Sequence, residues 1–400
     1  MVASATDPTI EVKAVKRGGP RFSLGYRPVL DGVRGVSILA VMWVHGGLFW
    51  VGRGGFLGVD LFFVLSGFLI TALLIQEWEQ TGDISFKKFY IRRGLRLVPP
   101  LVVLVAICLA AAAAFPPPEG FAERAKSILV ALFYMSNWLP VYAPLFHTWS
   151  LGIEEQFYIL WPLLLFFLLR LGLKKSTLVL VILAGAALIS LHRAALWYGH
   201  EADEVTRIYT GLDTHSDGLL IGCALGALVS WGMIPNGDAL KRAVRAAAVL
   251  SVLGMGALML TIPSDSDFLY YGGYTAVALM AATVVASLFV APVGPLTRLL
   301  EVPVLRWFGR LSYGLYLWHL PVYYLYNHLF PKFPSDSYTV SIMVPFVCKF
   351  AASVAVAAVS FYFIERPALR LKSRFRAEAA AGEAGGVKGG VEPRGADALT

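Results

Sequence analysis

Charged residues are scarce in this chain of 400 residues. They make up 15% of the sequence, against a usual share of about 25%, whereas hydrophobic residues make up 57%. The mean hydropathy is +0.66. A water-soluble fold of this size cannot bury so much apolar surface, so the surplus must face lipid. The composition therefore excludes a soluble enzyme and predicts an all-α, polytopic membrane helix bundle.

Cysteine is also scarce, with three residues in the whole chain. Cys108, Cys223 and Cys348 all lie inside apolar runs, which excludes a disulfide framework and favours a role as small core side chains. The sequence contains no soluble catalytic domain and no internal repeat. Any chemistry is therefore expected within the helix bundle or in its loops.

Long apolar runs are the dominant feature of the sequence. A helix that crosses a bilayer needs about 20 mainly apolar residues. The sequence predicts ten such spans, at approximately 31–51, 55–76, 95–115, 145–169, 176–196, 214–233, 246–262, 270–291, 311–330 and 340–364. A shorter apolar segment at 125–139 is predicted to be an interfacial or re-entrant helix on the outer side.

The net charge is +8, and its distribution predicts how the chain is oriented. With the N-terminus in the cytoplasm, most of the 34 Lys and Arg residues fall in cytoplasmic segments, as the positive-inside rule requires. We therefore expect both termini in the cytoplasm, with a basic tail over 1–29, a membrane domain over 30–370 and a disordered tail over 371–400. Because topology accounts for the basic charge, nucleic acid is not an expected partner.

Several ionisable side chains nevertheless fall within or near the predicted spans. A charged side chain at a helix centre costs about 2.5–3.5 kcal/mol on insertion scales. These side chains are therefore expected to face one another or a wet cavity. They are Arg34, His45, Asp60, Glu154, Glu155, His319 and Lys349.

Helical spacing places some of these side chains on shared faces. Arg34 and His45 are separated by about 16 Å along a helix and by about 20° around it. Two further stripes are His147, Leu151, Glu154 and Tyr158 on the fourth span, and Ser312, Tyr316, His319 and Tyr323 on the ninth. Histidines and carboxylates at a similar depth in the bilayer favour proton-transfer chemistry.

A structural role is the alternative for each of these residues. His319 could be a packing or hydrogen-bonding residue, and Asp60 could neutralise a nearby cation. Glu154 shares a stripe with His147 and is therefore expected to face the cavity. The adjacent Glu155 is expected to form a structural ion pair. Lys349 is expected to pair with a carboxylate.

The outer loop over residues 192–217 combines aromatic and acidic side chains, which suit sugar rings. Asp213 and Asp217 adjoin the sixth span and are the preferred contacts for an acceptor. An ordinary solvated cap is the alternative interpretation of this loop.

Six motifs follow one another along the chain. They are YRPVLDGVRGVSILAVMWVH (26–45), GGFLGVDLFFVLSGFLIT (54–71), FYIRRGLRLVPP (89–100), HTWSLGIEEQFYILWP (147–162), LSYGLYLWHLPV (311–322) and FIERP (363–367). In this order they resemble the acyltransferase-3 family of integral membrane acyltransferases. The resemblance implies transfer of an acyl group, usually acetyl from acetyl-coenzyme A, to a hydroxyl of an extracytoplasmic or lipid-linked glycan. It also implies a location in the bacterial cytoplasmic membrane.

The resemblance makes Arg34 and His45 the functional pair of the first span and Glu154 the carboxylate of the fourth. We expect Arg92, Arg93 and Arg96 to hold the phosphates of coenzyme A, because arginine matches phosphate geometry. Asp60 or Glu154 is expected to orient the His45 ring. The candidates for acceptor contacts are His319, Tyr316, Asp213 and Asp217. The expected partners are acyl-CoA, a hydroxyl acceptor and membrane lipids, and no metal is expected.

Four questions stay open at this point. His45 could act as a general base or as a transient acyl carrier. Arg92, Arg93 and Arg96 could instead set the orientation of the chain in the membrane or bind anionic lipid. A proton-coupled transporter or flippase would also carry intramembrane charges, and the acceptor of an acyltransferase could be a small secondary metabolite.

Overall fold

The computed structural model describes residues 23–48, 52–115, 118–199, 201, 204–330 and 337–370. In these ranges every regular element is helical. The all-α prediction is therefore confirmed. The first 22 residues of the predicted basic tail and the predicted tail at 371–400 lie outside the described residues.

Fourteen α-helices lie within the described ranges. They are α1 (Pro28–His45), α2 (Gly58–Thr81), α3 (Phe86–Ala114), α4 (Phe121–Leu132), α5 (Thr148–Arg170), α6 (Lys175–Tyr198), α7 (Val205–Thr210), α8 (Leu212–His215), α9 (Asp217–Ser230), α10 (Asp238–Thr261), α11 (Tyr274–Val290), α12 (Gly294–Leu300), α13 (Pro303–Leu329) and α14 (Tyr338–Ser360). A 3₁₀ turn (Gly55–Leu57) precedes α2, and π turns (Leu269–Gly273 and Phe361–Glu365) precede α11 and follow α14.

Local sequence signals account for several of these ends. Pro28 and Pro303 occupy the first turns of α1 and α13. Backbone N–H groups in a first turn have no acceptor within the helix, so proline, which lacks this group, costs no hydrogen bond there. Gly82 ends α2 with a φ of 75°, a left-handed conformation that glycine adopts without steric cost. The chain thus starts and stops these helices independently of the surrounding bundle.

Each predicted span overlaps a helix, and in the part of the chain that the structure describes seven helical segments are long and apolar enough to cross a membrane. These segments contain α2, α3, α5, α6, α10, α11 and α14. The other three predicted spans correspond to α1, α9 and α13. These helices are not among the seven, so the total of ten membrane spans stays a prediction. α9 has 14 residues, fewer than the roughly 20 that a straight crossing needs. The predicted segment at 125–139 overlaps α4, which has 12 residues.

Two closely packed helix pairs form the centre of the bundle, α1 against α13 and α2 against α9. Glycine permits both contacts. A Cβ atom on Gly309 would lie 1.8 Å from the carbonyl oxygen of Asp31, and one on Gly222 would lie 2.1 Å from that of Val64. Because hydrophobic transfer adds little between helices in lipid, small residues that let backbones approach supply much of the packing energy.

Replacing Gly222 by alanine is expected to lower the free energy of unfolding by about 1–3 kcal/mol, the usual cost of overpacking a core. The reason is that the new methyl group meets backbone rather than a movable side chain. Thermal unfolding of purified protein in detergent measures the effect. Gly256→Ala is the matched control, since a Cβ there meets nothing within 4 Å. Equal melting temperatures for the two variants would refute the close-packing argument.

Candidate active site

The polar side chains of α1 lie in two separate groups near its two ends. His45 is the last residue of α1, and Arg34 lies two turns from its start. The 11 residues between them correspond to about 16 Å of helix. We call the region around His45 the histidine end of the bundle and the region around Arg34 the arginine end.

At the histidine end, His45 hydrogen-bonds to a second histidine. The Nδ1 atom of His45 lies 3.1 Å from Nε2 of His319, and the ring centroids are 5.1 Å apart. His319 is completely buried. Its Nδ1 atom lies 2.7 Å from the carbonyl oxygen of Tyr316 and 3.1 Å from that of Leu315. His319 therefore lies behind His45 and is held by the backbone of its own helix.

A third histidine lies beside this pair. The ring of His147 is 5.2 Å from that of His319, edge to face, and its Nε2 atom lies 3.2 Å from the carbonyl oxygen of Leu317. The hydroxyl of Tyr316 donates to the carbonyl oxygen of His147 at 3.0 Å and lies 2.5 Å from the Ser150 hydroxyl. Tyr316 thus ties α13 to α5, and its hydroxyl is already engaged in these contacts.

A cavity of about 450 Å³ opens at the histidine end. Its wall is formed by Val44, His45, Arg53, Phe56, Tyr209, Pro263 and Ser264. The His45 side chain is exposed and lines this cavity, whereas His319 is buried. Of the predicted catalytic residues, His45 therefore lies where a small molecule can reach it, since ligand sites commonly have volumes of about 300–1,000 Å³.

The arginine end contains Glu154 and Arg93 in one network. The carboxylate of Glu154 accepts hydrogen bonds from Ser66 and, at 2.5 Å, from Tyr158. The Arg93 guanidinium lies 3.5 Å from Glu154 and 3.4 Å from Glu155. It also stacks on the Tyr158 ring, 3.2 Å from the centroid. The ion pair predicted for Glu155 is confirmed, and Glu154 shares the same arginine.

Arg34 and Arg96 complete the arginine end. The Arg34 Nε atom donates to the Ser312 hydroxyl at 3.3 Å, and Arg96 and Glu154 are among its electrostatic neighbours. The electrostatic neighbours of Arg96 are Arg93, Tyr158, Glu365 and Glu154. Arg92 does not join this group, because it is exposed and donates to the Lys88 carbonyl oxygen of its own helix. The structure therefore brings together Arg34, Arg93 and Arg96, which we call the arginine cluster.

Neither carboxylate expected to orient His45 contacts it. Among the described residues, the side-chain partner of His45 is His319. Glu154 belongs to the arginine end, because about two turns of α5 separate it from His147, the member of its stripe that lies beside His319. Asp60 pairs instead with His215, whose Nε2 atom lies 3.1 Å from Oδ1 of Asp60. Both side chains are buried.

His215 is a residue that the sequence analysis did not select. Its Nδ1 atom lies 2.6 Å from the carbonyl oxygen of Tyr209, and Tyr209 lines the cavity. The Asp60–His215 pair therefore supports one wall of the cavity from behind. One feature of the sequence could have indicated His215, namely its position two residues before Asp217 at the start of the sixth predicted span.

The two aspartates predicted to bind acceptor lie in ion pairs. Arg193 holds Asp217 through two bonds of 2.9 and 3.0 Å, and both side chains are buried. Asp213 accepts from Arg207 at 2.8 Å. Partial burial alone would raise the pKa of Asp213, but the hydrogen bonds and charge of Arg207 outweigh it and hold this pKa below its usual value. Neither aspartate is among the residues that line the cavity.

The prediction that Lys349 pairs with a carboxylate is wrong, since its contacts among the described residues are a carbonyl oxygen and an aromatic ring. The Lys349 ammonium donates to the carbonyl oxygen of Gly46 at 3.0 Å and lies 5.4 Å from the centre of the Tyr323 ring. A carbonyl and an aromatic face replace the expected anion, because both attract a cation without carrying charge. Lys349 thus fixes the turn that follows His45. Across the described ranges, no cluster of three or more His, Cys, Asp or Glu side chains is arranged to hold a metal ion.

Comparisons with known proteins identify the family of this chain. Residues 27–362 match the sequence model of a family described as an acyltransferase domain. The peptidoglycan O-acetyltransferase OatA of Listeria monocytogenes is 33% identical over 363 residues, which cover 87% of this chain and 56% of that protein. The O-acetyltransferase OatA of Staphylococcus aureus is 32% identical over 375 residues, covering 90% of this chain and 60% of that protein. The chain therefore spans less than two thirds of the length of these relatives. No solved structure matches significantly.

Proposed function

The chain belongs to this acyltransferase family, and from that premise we propose that it transfers an acetyl group from cytoplasmic acetyl-coenzyme A to a hydroxyl of a cell-wall glycan. The names of both relatives describe O-acetyltransferases, and one of them names peptidoglycan. The apolar helices and the bacterial relatives make the chain an integral bacterial membrane protein. The observation that carries the proposal is the exposure of His45 to a cavity, with the arginine cluster at the other end of the same helix.

The donor is proposed to enter at the arginine end. Arg34, Arg93 and Arg96 would hold its phosphates, since guanidinium groups form paired hydrogen bonds to phosphate oxygens. Glu154 and Glu155 hold Arg93 in place at 3.5 and 3.4 Å. The pantetheine arm would then lie along α1 and carry the thioester over the roughly 16 Å to His45.

The acceptor is proposed to enter the cavity from the histidine end. Phe56 and Tyr209 supply aromatic walls for sugar rings, and Ser264 and Arg53 supply polar contacts. His45 would remove the proton from the acceptor hydroxyl as its oxygen attacks the thioester carbonyl carbon. The carbon–sulfur bond breaks, and the same proton passes to the departing thiolate. In the carrier alternative, His45 attacks the thioester carbonyl carbon first, and the carbon–sulfur bond breaks to release coenzyme A as the thiolate. The hydroxyl oxygen then attacks the acetyl group on the ring, the carbon–nitrogen bond breaks, and the hydroxyl proton passes through the ring to the thiolate.

Purified protein with acetyl-labelled acetyl-coenzyme A and soluble peptidoglycan strands tests the proposal. We expect base-labile label on the glycan, with one free thiol released for each ester formed. Label on the protein in the absence of acceptor supports the carrier route, and its absence supports the general base. Label that stays on coenzyme A, whatever glycan is supplied, would contradict acyl transfer to the cell wall. Movement of a substrate with the thioester intact would favour the transporter alternative.

A further inference from the structure

The hydrogen bonds of His319 determine which of its ring nitrogens carries the proton. Nδ1 lies within hydrogen-bond distance of two backbone carbonyl oxygens, those of Tyr316 and Leu315. A carbonyl oxygen only accepts, so Nδ1 must be the N–H nitrogen. A neutral imidazole has one donor and one acceptor. The ring is completely buried, where an uncompensated charge is costly. Nε2 of His319 is therefore an acceptor.

This acceptor in turn determines the tautomer of His45. The Nδ1 atom of His45 lies 3.1 Å from Nε2 of His319. Since Nε2 of His319 accepts, Nδ1 of His45 must donate. The lone pair of the His45 ring is then on Nε2. The side chain that carries this nitrogen is exposed and lines the cavity.

We propose that His319 is a positioning residue, which holds His45 in the Nδ1–H tautomer and directs the Nε2 lone pair to the reacting groups. A carboxylate commonly orients a catalytic histidine, and here a second, backbone-anchored imidazole takes that place. The sequence predicts that His319 contacts the acceptor, but the burial of His319 behind His45 separates it from the cavity. Both routes of the proposed function use the same nitrogen.

The proton balance of the general-base route follows from this tautomer. The hydroxyl proton moves to Nε2 of His45 as the carbon–oxygen bond forms. His45 is then an imidazolium whose Nδ1–H still donates to His319. The proton leaves from Nε2 to the sulfur as the carbon–sulfur bond breaks, which restores the starting tautomer. The Nδ1 proton of His45 stays on the ring throughout the cycle.

The tautomer can be measured without turnover. In ¹⁵N spectra of wild-type protein labelled at its seven histidines, the His45 signals are those lost in His45→Asn. We expect a protonated Nδ1 and a lone-pair Nε2 for His45. A proton on Nε2 of His45 in the resting protein would overturn the proposal. This readout depends neither on the proposed function nor on the folding of any His319 variant.

The kinetic part rests on the proposed function and uses two substitutions of His319. His319→Leu removes the acceptor and is expected to lower kcat about 10- to 100-fold with little change in the KM for acetyl-coenzyme A. His319→Gln places an amide oxygen near the former Nε2 atom and is expected to restore most of that loss. His328→Leu is the control, because His328 is an exposed histidine on the same helix.

The outcomes separate the two ideas. Wild-type activity with unchanged kcat in His319→Leu would overturn the positioning role and leave the proposed function intact. Equal losses in His319→Gln and His319→Leu would also overturn it, since only a structural role predicts them. A wild-type protein with the expected His45 tautomer but no transfer to any acceptor would contradict the proposed function alone.

Discussion

Replacement of His45 by alanine is expected to reduce acetyl transfer at least about 100-fold, the lower end of the usual contribution of a general base. If His45 carries the acetyl group, the loss is larger, because no covalent intermediate can form. The helix itself should persist, since His45 is the last residue of α1 and its side chain is exposed to the cavity. The measurement is the initial rate of ester formation with saturating acetyl-coenzyme A.

The control for this experiment removes a histidine away from the cavity. His192 is an exposed residue of α6 whose Nε2 atom lies 3.2 Å from Oδ2 of Asp213, so His192→Ala removes a surface hydrogen bond only. Its rate should stay close to that of the wild type, because exposed pairs contribute about 0–1 kcal/mol. A His45→Ala protein with the wild-type rate and melting temperature would remove His45 from the chemistry.

Replacement of Arg193 by methionine is expected to lower the free energy of unfolding by about 3–5 kcal/mol, the cost of leaving one partner of a buried pair uncompensated. Arg193 is completely buried. It donates to both carboxylate oxygens of Asp217, to the carbonyl oxygen of Thr214 and to the Thr275 hydroxyl. These bonds join α6 to α9 and α11. Thermal unfolding in detergent measures the change.

A double variant distinguishes a buried charge from general disruption. Arg193→Met with Asp217→Leu removes both charges, and it is expected to recover most of the stability lost in Arg193→Met. Replacing a buried pair by apolar side chains is often neutral or stabilising. A double variant no more stable than Arg193→Met would show that the ion pair is not the reason for the loss. The acceptor KM of the double variant then tests the predicted acceptor contact of Asp217.

Hydropathy and helical spacing predicted much of the fold because both act within one segment. Seven predicted spans coincide with helices apolar enough to cross a bilayer. The stripe on the fourth span placed Glu154 next to Tyr158, and the Tyr158 hydroxyl does donate to Glu154 at 2.5 Å. Of the three remaining spans, α9 has 14 residues and is short for a crossing, and α1 carries Arg34, which bonds to Ser312 of α13.

The order of spans along a sequence does not determine which helices are neighbours. The sequence therefore could not predict which site residues on different helices contact one another. Glu154 and His45 were expected to meet at one depth, but Glu154 faces Arg93 and His45 faces His319. Asp60 has its partner 155 residues away at His215. Such pairings depend on close helix contacts, as at Gly222 and Gly309, which no periodicity within a single segment reveals.

Transfer across a sealed membrane tests the central claim most directly, namely that donor and acceptor reach His45 from opposite ends of the bundle. Proteoliposomes that enclose peptidoglycan strands receive acetyl-labelled acetyl-coenzyme A on the outside. For molecules inserted with the arginine end outward, we predict labelled ester on the enclosed glycan and free coenzyme A outside, with neither formed by His45→Ala. Ester formation only when both substrates are on the same side of the membrane would contradict the account.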